Sequence, residues 1–249
     1  MQLPLPIELP SYQTLDNYFF EKNELLHDAL LNLTAHTEPS NSQLLLIHGA
    51  EHCGKTHLAT ALYHRALEQK LSVCYLDMAE LFAPEILQAY QTMQGEENAE
   101  SIYMELLANY DLHELLIVEN IHVVANQPPL QVALFDLINR CIESSASILL
   151  TSSLGPASTE FELPDLRSRL SWGQVYQLDS LSDDGLEKVV ADYVAMKGLN
   201  MQHAAIAYLL KFTIRDITNI QTILGELDQL ALSEQKAITI PLIKKALGI

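Results

Sequence analysis

A chain of 249 residues that is 49% apolar can bury a full core, which excludes an intrinsically disordered polymer. Its formal charge of -18, from 32 acidic against 14 basic residues, excludes autonomous duplex binding, which runs on phosphate neutralisation. Between Leu71 and Asn139 there is no Lys or Arg but eleven acids, a field that suits a locally basic partner surface.

Gln2-Leu3-Pro4-Leu5-Pro6-Ile7 is barred from a helix by its prolines. It is either an irregular lead-in or an extended peptide whose Leu3, Leu5 and Ile7 dock into another protein's pocket. Tyr12 to Phe20 is aromatic-rich, and Asn23 to Leu33 predicts a helix with Leu25, Leu26, Leu30 and Leu33 on one side. A polar turn, Thr37 to Ser42, leads to a core strand, Gln43 to His48.

The next eight residues, Gly49-Ala50-Glu51-His52-Cys53-Gly54-Lys55-Thr56, fit G-x-x-x-x-G-K-[ST] between that strand and a helical pattern beginning near His57. Strand, glycine-containing turn and helix surround a phosphate with backbone N–H groups. Lys55 is then free for the β and γ phosphates and the Thr56 hydroxyl for Mg²⁺. Val73 to Leu76 predicts a second strand ending at Asp77, followed by helices over Ala79 to Gln91 and Ala99 to Tyr110. Leu115 to Val118 is a buried strand closed by Glu119 and Asn120, Leu130 to Ile142 a helix, and Ile148 to Thr151 a strand. Leu163 to Leu170 is a short helix and Gln174 to Leu178 a last strand. This alternation predicts an α/β fold, a largely parallel sheet flanked by helices. Beyond it only helical patterns remain: Ser182 to Met196, Gln202 to Phe212, Ile217 to Leu232 and Ile240 to Leu247. The expected organisation is an extended peptide at 1–10, an α/β nucleotide-binding domain at 11–179 and a small all-helical domain at 180–249.

Candidate chemistry concentrates at few positions. Glu119, at a strand end, is placed either to organise a Mg²⁺ shell or as an ordinary surface acid. Asn120 can hold a water but not take its proton, and is equally a turn former. Arg167 and Arg169 either act on a transferring phosphoryl group or form ion pairs within the chain. Arg215 reaches a nucleotide or pairs with Asp216 or Glu226, and His52 and His57 bracket the phosphate loop. The histidines lack zinc spacing, Asp136 and Asp165 lack a carboxylate partner, and Ser152, Ser153 and Ser168 lack a nucleophile elbow. Cys53, Cys74 and Cys141 read as reduced thiols. With no signal-like start and no apolar run of spanning length, the expectation is a soluble cytoplasmic protein without membrane contact.

Gly49 to Thr56, Leu115 to Asn120, Leu149 to Ser153, Asp165 to Gly173 and Glu226 to Leu230 together resemble the AAA+ domain of the bacterial replication initiator DnaA family. In particular they resemble its shorter Hda-type branch, regulatory inactivators of DnaA. Asp165 to Gly173 is the most specific of these segments. The resemblance implies an AAA+ P-loop domain followed by a helical lid, with ADP or ATP and Mg²⁺ in the cleft between them. It assigns nucleotide binding to Gly49, Cys53, Gly54, Lys55, Thr56, His57, Glu119 and Asn120, and to Arg215 and Gln221 in the lid, with Thr56 and Glu119 on the metal side. It makes Gln2, Leu3, Leu5, Pro6 and Ile7 a ligand for the DNA polymerase III beta sliding clamp. Arg169 becomes an arginine finger acting in trans on ATP held by DnaA, with Arg167 in support.

No helix-turn-helix pattern follows Ile249, so sequence-specific DNA reading is not expected. The chain also departs from the family. Glu119 stands where the family has an aspartate, Asn120 where active ATPases have an acid, and no carboxylate lies near Ser153. Gln221 stands at the second sensor position in place of an arginine. The changes at Asn120, near Ser153 and at Gln221 remove charge that would act on a γ-phosphate, while Glu119 keeps its charge on a chain one methylene longer; together they imply a nucleotide-binding negative regulator of replication initiation that barely hydrolyses its own ligand. A clamp-tethered recruitment adaptor and an autonomous DnaA-like ATPase are the alternatives, and a homo-oligomer stays open.

Overall fold

The apolar strand residues go to two destinations. In β1 (Leu44–Gly49), Leu44 and Leu46 enter one hydrophobic core and Leu45 and Ile47 another. A strand sends successive side chains to opposite faces, so apolar residues at every position demand cover on both sides. The computed structural model describes residues 9–10, 13–20, 23–35, 42–88, 99–213, 217–234 and 236–248. It joins β1, β2 (Val73–Asp77), β3 (Leu115–Glu119), β4 (Ser147–Ser152) and β5 (Gln174–Leu178) in one parallel sheet, ordered β2-β3-β4-β1-β5.

Helices α1 (Glu24–Leu33) and α2 (Lys55–Glu68) supply Leu26, Leu30, Leu58 and Leu62 to one face. The chain then runs through the short α3 (Met78–Leu81) and α4 (Ala99–Leu106) to α5 (Pro128–Glu143) and α6 (Pro164–Trp172). Leu134, Leu137, Ile138, Leu166 and Leu170 cover the other face.

Two helices end earlier than their periodicity predicts. Over Ala79 to Gln91 the helix stops at Leu81, with Phe82 as its cap, because Ala83 precedes Pro84, whose ring disfavours the helical conformation of the residue before it. A separate helical turn occupies 84–88, and 89–91 lie outside the described residues. α4 closes at Leu106, and Asn109, left-handed at φ 68°, leads into a 3₁₀ turn at Tyr110–Leu112.

Contacts divide the chain into two compact units, Met1–Asp179 and Ser180–Ile249. The second consists of α7 (Asp183–Met196), α8 (His203–Phe212), α9 (Ile217–Glu234) and α10 (Ile240–Leu247). Ser182 caps α7, its hydroxyl accepting from the Gly185 N–H at 3.0 Å. Leu186, Val190, Leu209, Leu224, Leu227 and Ile243 centre its own core. Among the described residues no helix is long and apolar enough to cross a membrane.

Where α6 gives way to β5, a Cβ on Gly173 would lie 2.1 Å from the Leu44 carbonyl oxygen. Only a residue without a side chain allows that approach, which fixes the end of α6 against the first residue of β1. Gly173→Ala is expected to destabilise the α/β unit by about 3 kcal/mol through forced backbone displacement, read as a lower urea midpoint.

Candidate functional site

Parallel register brings the carboxyl ends of β1, β3 and β4 to one edge of the sheet, where α/β folds bind ligands. There β1 turns through the loop into α2. His52 (φ 61°) and Gly54 (φ 100°) take left-handed conformations that curl the loop, and a Cβ on Gly54 would strike the Tyr18 ring at 2.8 Å. The Tyr18 hydroxyl in turn donates to the Cys53 carbonyl at 3.4 Å. Gly54 is the N-cap of α2 and no side chain caps it, so the positive end of the helix is presented at the loop.

Lys55 is only 8% exposed. Its ammonium donates to the carbonyls of Gly49 at 2.9 Å and Ala50 at 2.6 Å, with Cys53 Sγ at 3.6 Å. Among the described residues no carboxylate lies within ion-pair distance of it. A buried cation held only by neutral groups, beside an uncapped helix start, is a donor set that fits a phosphate. The cation is felt nearby: His48 and His122 are both held below the ordinary histidine range, by burial first and by Lys55 second. His122 Nδ1 accepts from the Ser153 N–H at 3.3 Å, so that nitrogen carries no proton.

Glu119 is 2% exposed, which removes the reading of it as a surface acid. The Tyr75 hydroxyl donates to its Oε2, the Thr151 hydroxyl to Oε1 at 3.3 Å, and the Thr56 hydroxyl lies within hydrogen-bonding reach. Burial raises this carboxyl above the usual glutamate range, and the three hydroxyls pull it part of the way back. Burial of the Tyr75 phenol, and after it the neighbouring Glu119 charge, push that phenol well above its ordinary value. Thr56 and Glu119 therefore bring two hard oxygen groups to the same edge, a donor type that suits a divalent cation. Among the described residues no cluster of three or more His, Cys, Asp or Glu side chains could hold a metal alone, so a divalent ion here needs phosphate oxygens to fill its shell.

Asn120 shares that strand end but faces elsewhere. It is left-handed at φ 59°, and its Nδ2 donates to both Asp77 oxygens, at 3.0 and 3.1 Å, tying the ends of β2 and β3. The structural role as turn former is realised, and one of its amide hydrogens is shared between the two Asp77 oxygens. His57 is likewise engaged: Nε2–H faces the Thr14 carbonyl and Asn17 Oδ1, both at 3.0 Å, and burial lowers its pKa. It ties segment 13–20 to α2.

Arg169 reaches over aromatic rings, its guanidinium carbon 5.6 Å from the Trp172 ring centroid and 6.0 Å from that of Phe135. Among the described residues neither Arg167 nor Arg169 makes an ion pair, so the internal-pair alternative is not realised there. In the helical unit Gln221 lines a small cavity with Val190, Tyr193 and Ile220. Gln2, Leu3, Leu5, Pro6, Ile7 and Arg215 lie outside the described residues. Sequence reasoning missed Tyr75, Tyr18, His48 and His122. The one available signal was at Tyr75: two residues before Asp77, it falls on the same face of β2 as the acid that pairs in register with Glu119.

The family model for the bacterial DnaA ATPase domain matches residues 10–177, and that for the Hda lid domain matches residues 183–247. An uncharacterised protein of Haemophilus influenzae is 30% identical over 249 residues, covering 100% of this chain and 99% of its own. Domain III of Thermotoga maritima DnaA superposes with a TM-score of 0.79 at 18% identity, covering 96% of this chain and 97% of its own. AMPPCP-bound DnaA from Aquifex aeolicus gives a TM-score of 0.68 at 20% identity, over 88% of this chain and 66% of its own.

Because Asn120 donates to both Asp77 oxygens, Asn120→Asp sets two carboxylates face to face. Repulsion raises a folded-state pKa above its unfolded value, so the penalty is full above the folded pKa and is relieved as pH falls through it. The variant is expected to lose about 1–3 kcal/mol near pH 7.5 and to recover much of it near pH 5, followed by urea denaturation at both pH values.

Proposed function

The chain belongs to the bacterial DnaA ATPase family and carries an Hda-type lid, and from that premise we propose that it is a clamp-tethered negative regulator of replication initiation, promoting hydrolysis of ATP held by DnaA. The observation that carries the reading is Arg169. In a chain of 32 acids and 14 basic residues, this partly exposed guanidinium has no carboxylate partner among the described residues. A cation left without an anion in so acidic a protein is suited to an anion supplied from outside. The proposal places Arg169 against the phosphates of DnaA-bound ATP, with Arg167 two residues earlier on α6 in support.

The chain's own nucleotide, ADP or ATP, belongs to Gly49, Cys53, Gly54, Lys55, Thr56 and His57. Lys55 exchanges two carbonyl partners for phosphate oxygens, and Thr56 and Glu119 would hold Mg²⁺. When bound, the metal nucleotide supplies an electrophilic phosphorus. Little on this chain exploits it, since Asn120 cannot accept a proton and its side-chain amide already donates to the Asp77 carboxylate. That supports a binding role over turnover. Gln2, Leu3, Leu5, Pro6 and Ile7 are assigned to the sliding clamp.

A second reading, recruitment of DnaA without a finger, is favoured by the contact of Arg169 with rings of its own chain. The two readings separate in an assay of DnaA–ATP turnover with DNA-loaded clamp. Addition of the intact protein is expected to raise the rate, and an unchanged rate overturns the proposal. Arg169→Ala should return the rate toward that of DnaA alone while clamp binding persists, arginine fingers being worth roughly 10³–10⁵-fold. If that variant still stimulates fully, recruitment alone accounts for the activity. Gln2→Ala should weaken clamp binding first.

A further inference from the structure

We propose that Trp172 is the positioning residue for Arg169, holding the guanidinium in the pose from which it engages a phosphate on the partner. The inference rests on the trans-acting reading of Arg169. Three residues apart on α6, the two side chains share one helix face. The guanidinium carbon lies 5.6 Å from the indole centroid and 6.0 Å from the Phe135 ring on α5, at the range where ring quadrupoles attract a cation.

The platform beneath this face is fixed. Leu166 and Leu170, on the adjoining face of α6, are fully buried in the sheet-facing core, which sets the rotation of the helix about its axis. Next to Trp172, Gly173 is pressed against the Leu44 carbonyl, which sets the position of the helix end. The Trp172 side chain itself is not absorbed into that core: it remains 58% exposed. A large indole standing in water, in contact with an arginine that has no carboxylate partner among the described residues, is explained by neither core packing nor an ion pair there.

An exposed arginine samples many rotamers, and ordering them on contact with a phosphate opposes the reaction. Confinement between the indole and Phe135 removes part of that disorder beforehand. It leaves the guanidinium hydrogens available at its edge, because a cation–π contact uses the face of the group and not its N–H bonds. Docking of a partner over this surface would withdraw water from the indole and strengthen the contact when the finger is needed.

Trp172 is the sole tryptophan of the chain, so its emission reports directly on the Arg169 contact. In the free, full-length protein, Arg169→Ala is expected to change the intensity or maximum of that emission; identical spectra overturn the inference. In clamp-dependent DnaA–ATP hydrolysis, Trp172→Ala is expected to lower the maximal stimulated rate about tenfold with little change in the half-saturating protein concentration. Trp172→Phe should recover most of the rate and Trp172→Leu, of similar apolar character, should not.

A shift in half-saturating concentration alone would make Trp172 a docking residue, and an increased rate would make the contact inhibitory; either overturns positioning. Full activity of Trp172→Ala beside an active Arg169-dependent parent overturns this inference while leaving the finger standing. Absence of stimulation by the intact protein overturns the finger and the positioning role with it.

Discussion

The ammonium of Lys55 is buried among carbonyls and a sulfur, and much of the surrounding structure follows from accommodating it. Taking such an ion out of water is unfavourable by several kcal/mol, on the order usual for buried charges. Two main-chain carbonyls offset part of this, but they are available only because the loop curls through left-handed residues at His52 and Gly54. Tyr18 closes over Gly54, and His57 ties the segment bearing Tyr18 to α2. The P-loop is thus held in shape by neighbours before any phosphate arrives, which is the preorganisation that anion binding needs.

Around this cation the acids are divided by environment. Glu119 is enclosed by hydroxyl donors from Tyr75, Thr56 and Thr151, whereas Asp77 is engaged by the Asn120 amide. An amide at position 120 can donate to Asp77 where a second carboxylate would repel it. The exchange of acid for amide, which reads in sequence as the loss of a catalytic base, also has a structural reason: it joins the ends of two neighbouring strands. His48 and His122, lowered by burial and by Lys55, add no second positive charge at this edge.

Arg169 stands apart from that edge, on a helix anchored by Leu166, Leu170 and Gly173 and facing two aromatic rings. Some cations are satisfied by acids of the chain: Arg140 bonds Asp111 and Asp136, and Lys245 bonds Glu234. Arg169 differs from these in having aromatic rings beside it and no carboxylate partner among the described residues.

The continuous apolar runs of β1 and β3, the strand–loop–helix context of Gly49 to Thr56, and the disappearance of strand patterns beyond Leu178 were all legible in the amino-acid sequence. Each depends on local residue order: a parallel core strand must be apolar at every position, and a phosphate loop must lie between a strand and a helix. The segment Asp165 to Gly173 carried the family resemblance for the same reason, as a contiguous motif. What tertiary structure decided concerns residues far apart in the chain. Burial of Glu119, its hydroxyl donors from β2 and β4, the Asn120–Asp77 tie and the rings beside Arg169 arise where separate elements meet. Sequence order determines which face of a strand or helix a side chain occupies; only packing decides which partner waits there, and the partner determines whether an acid, an amide or an arginine supports the fold or is left for another molecule.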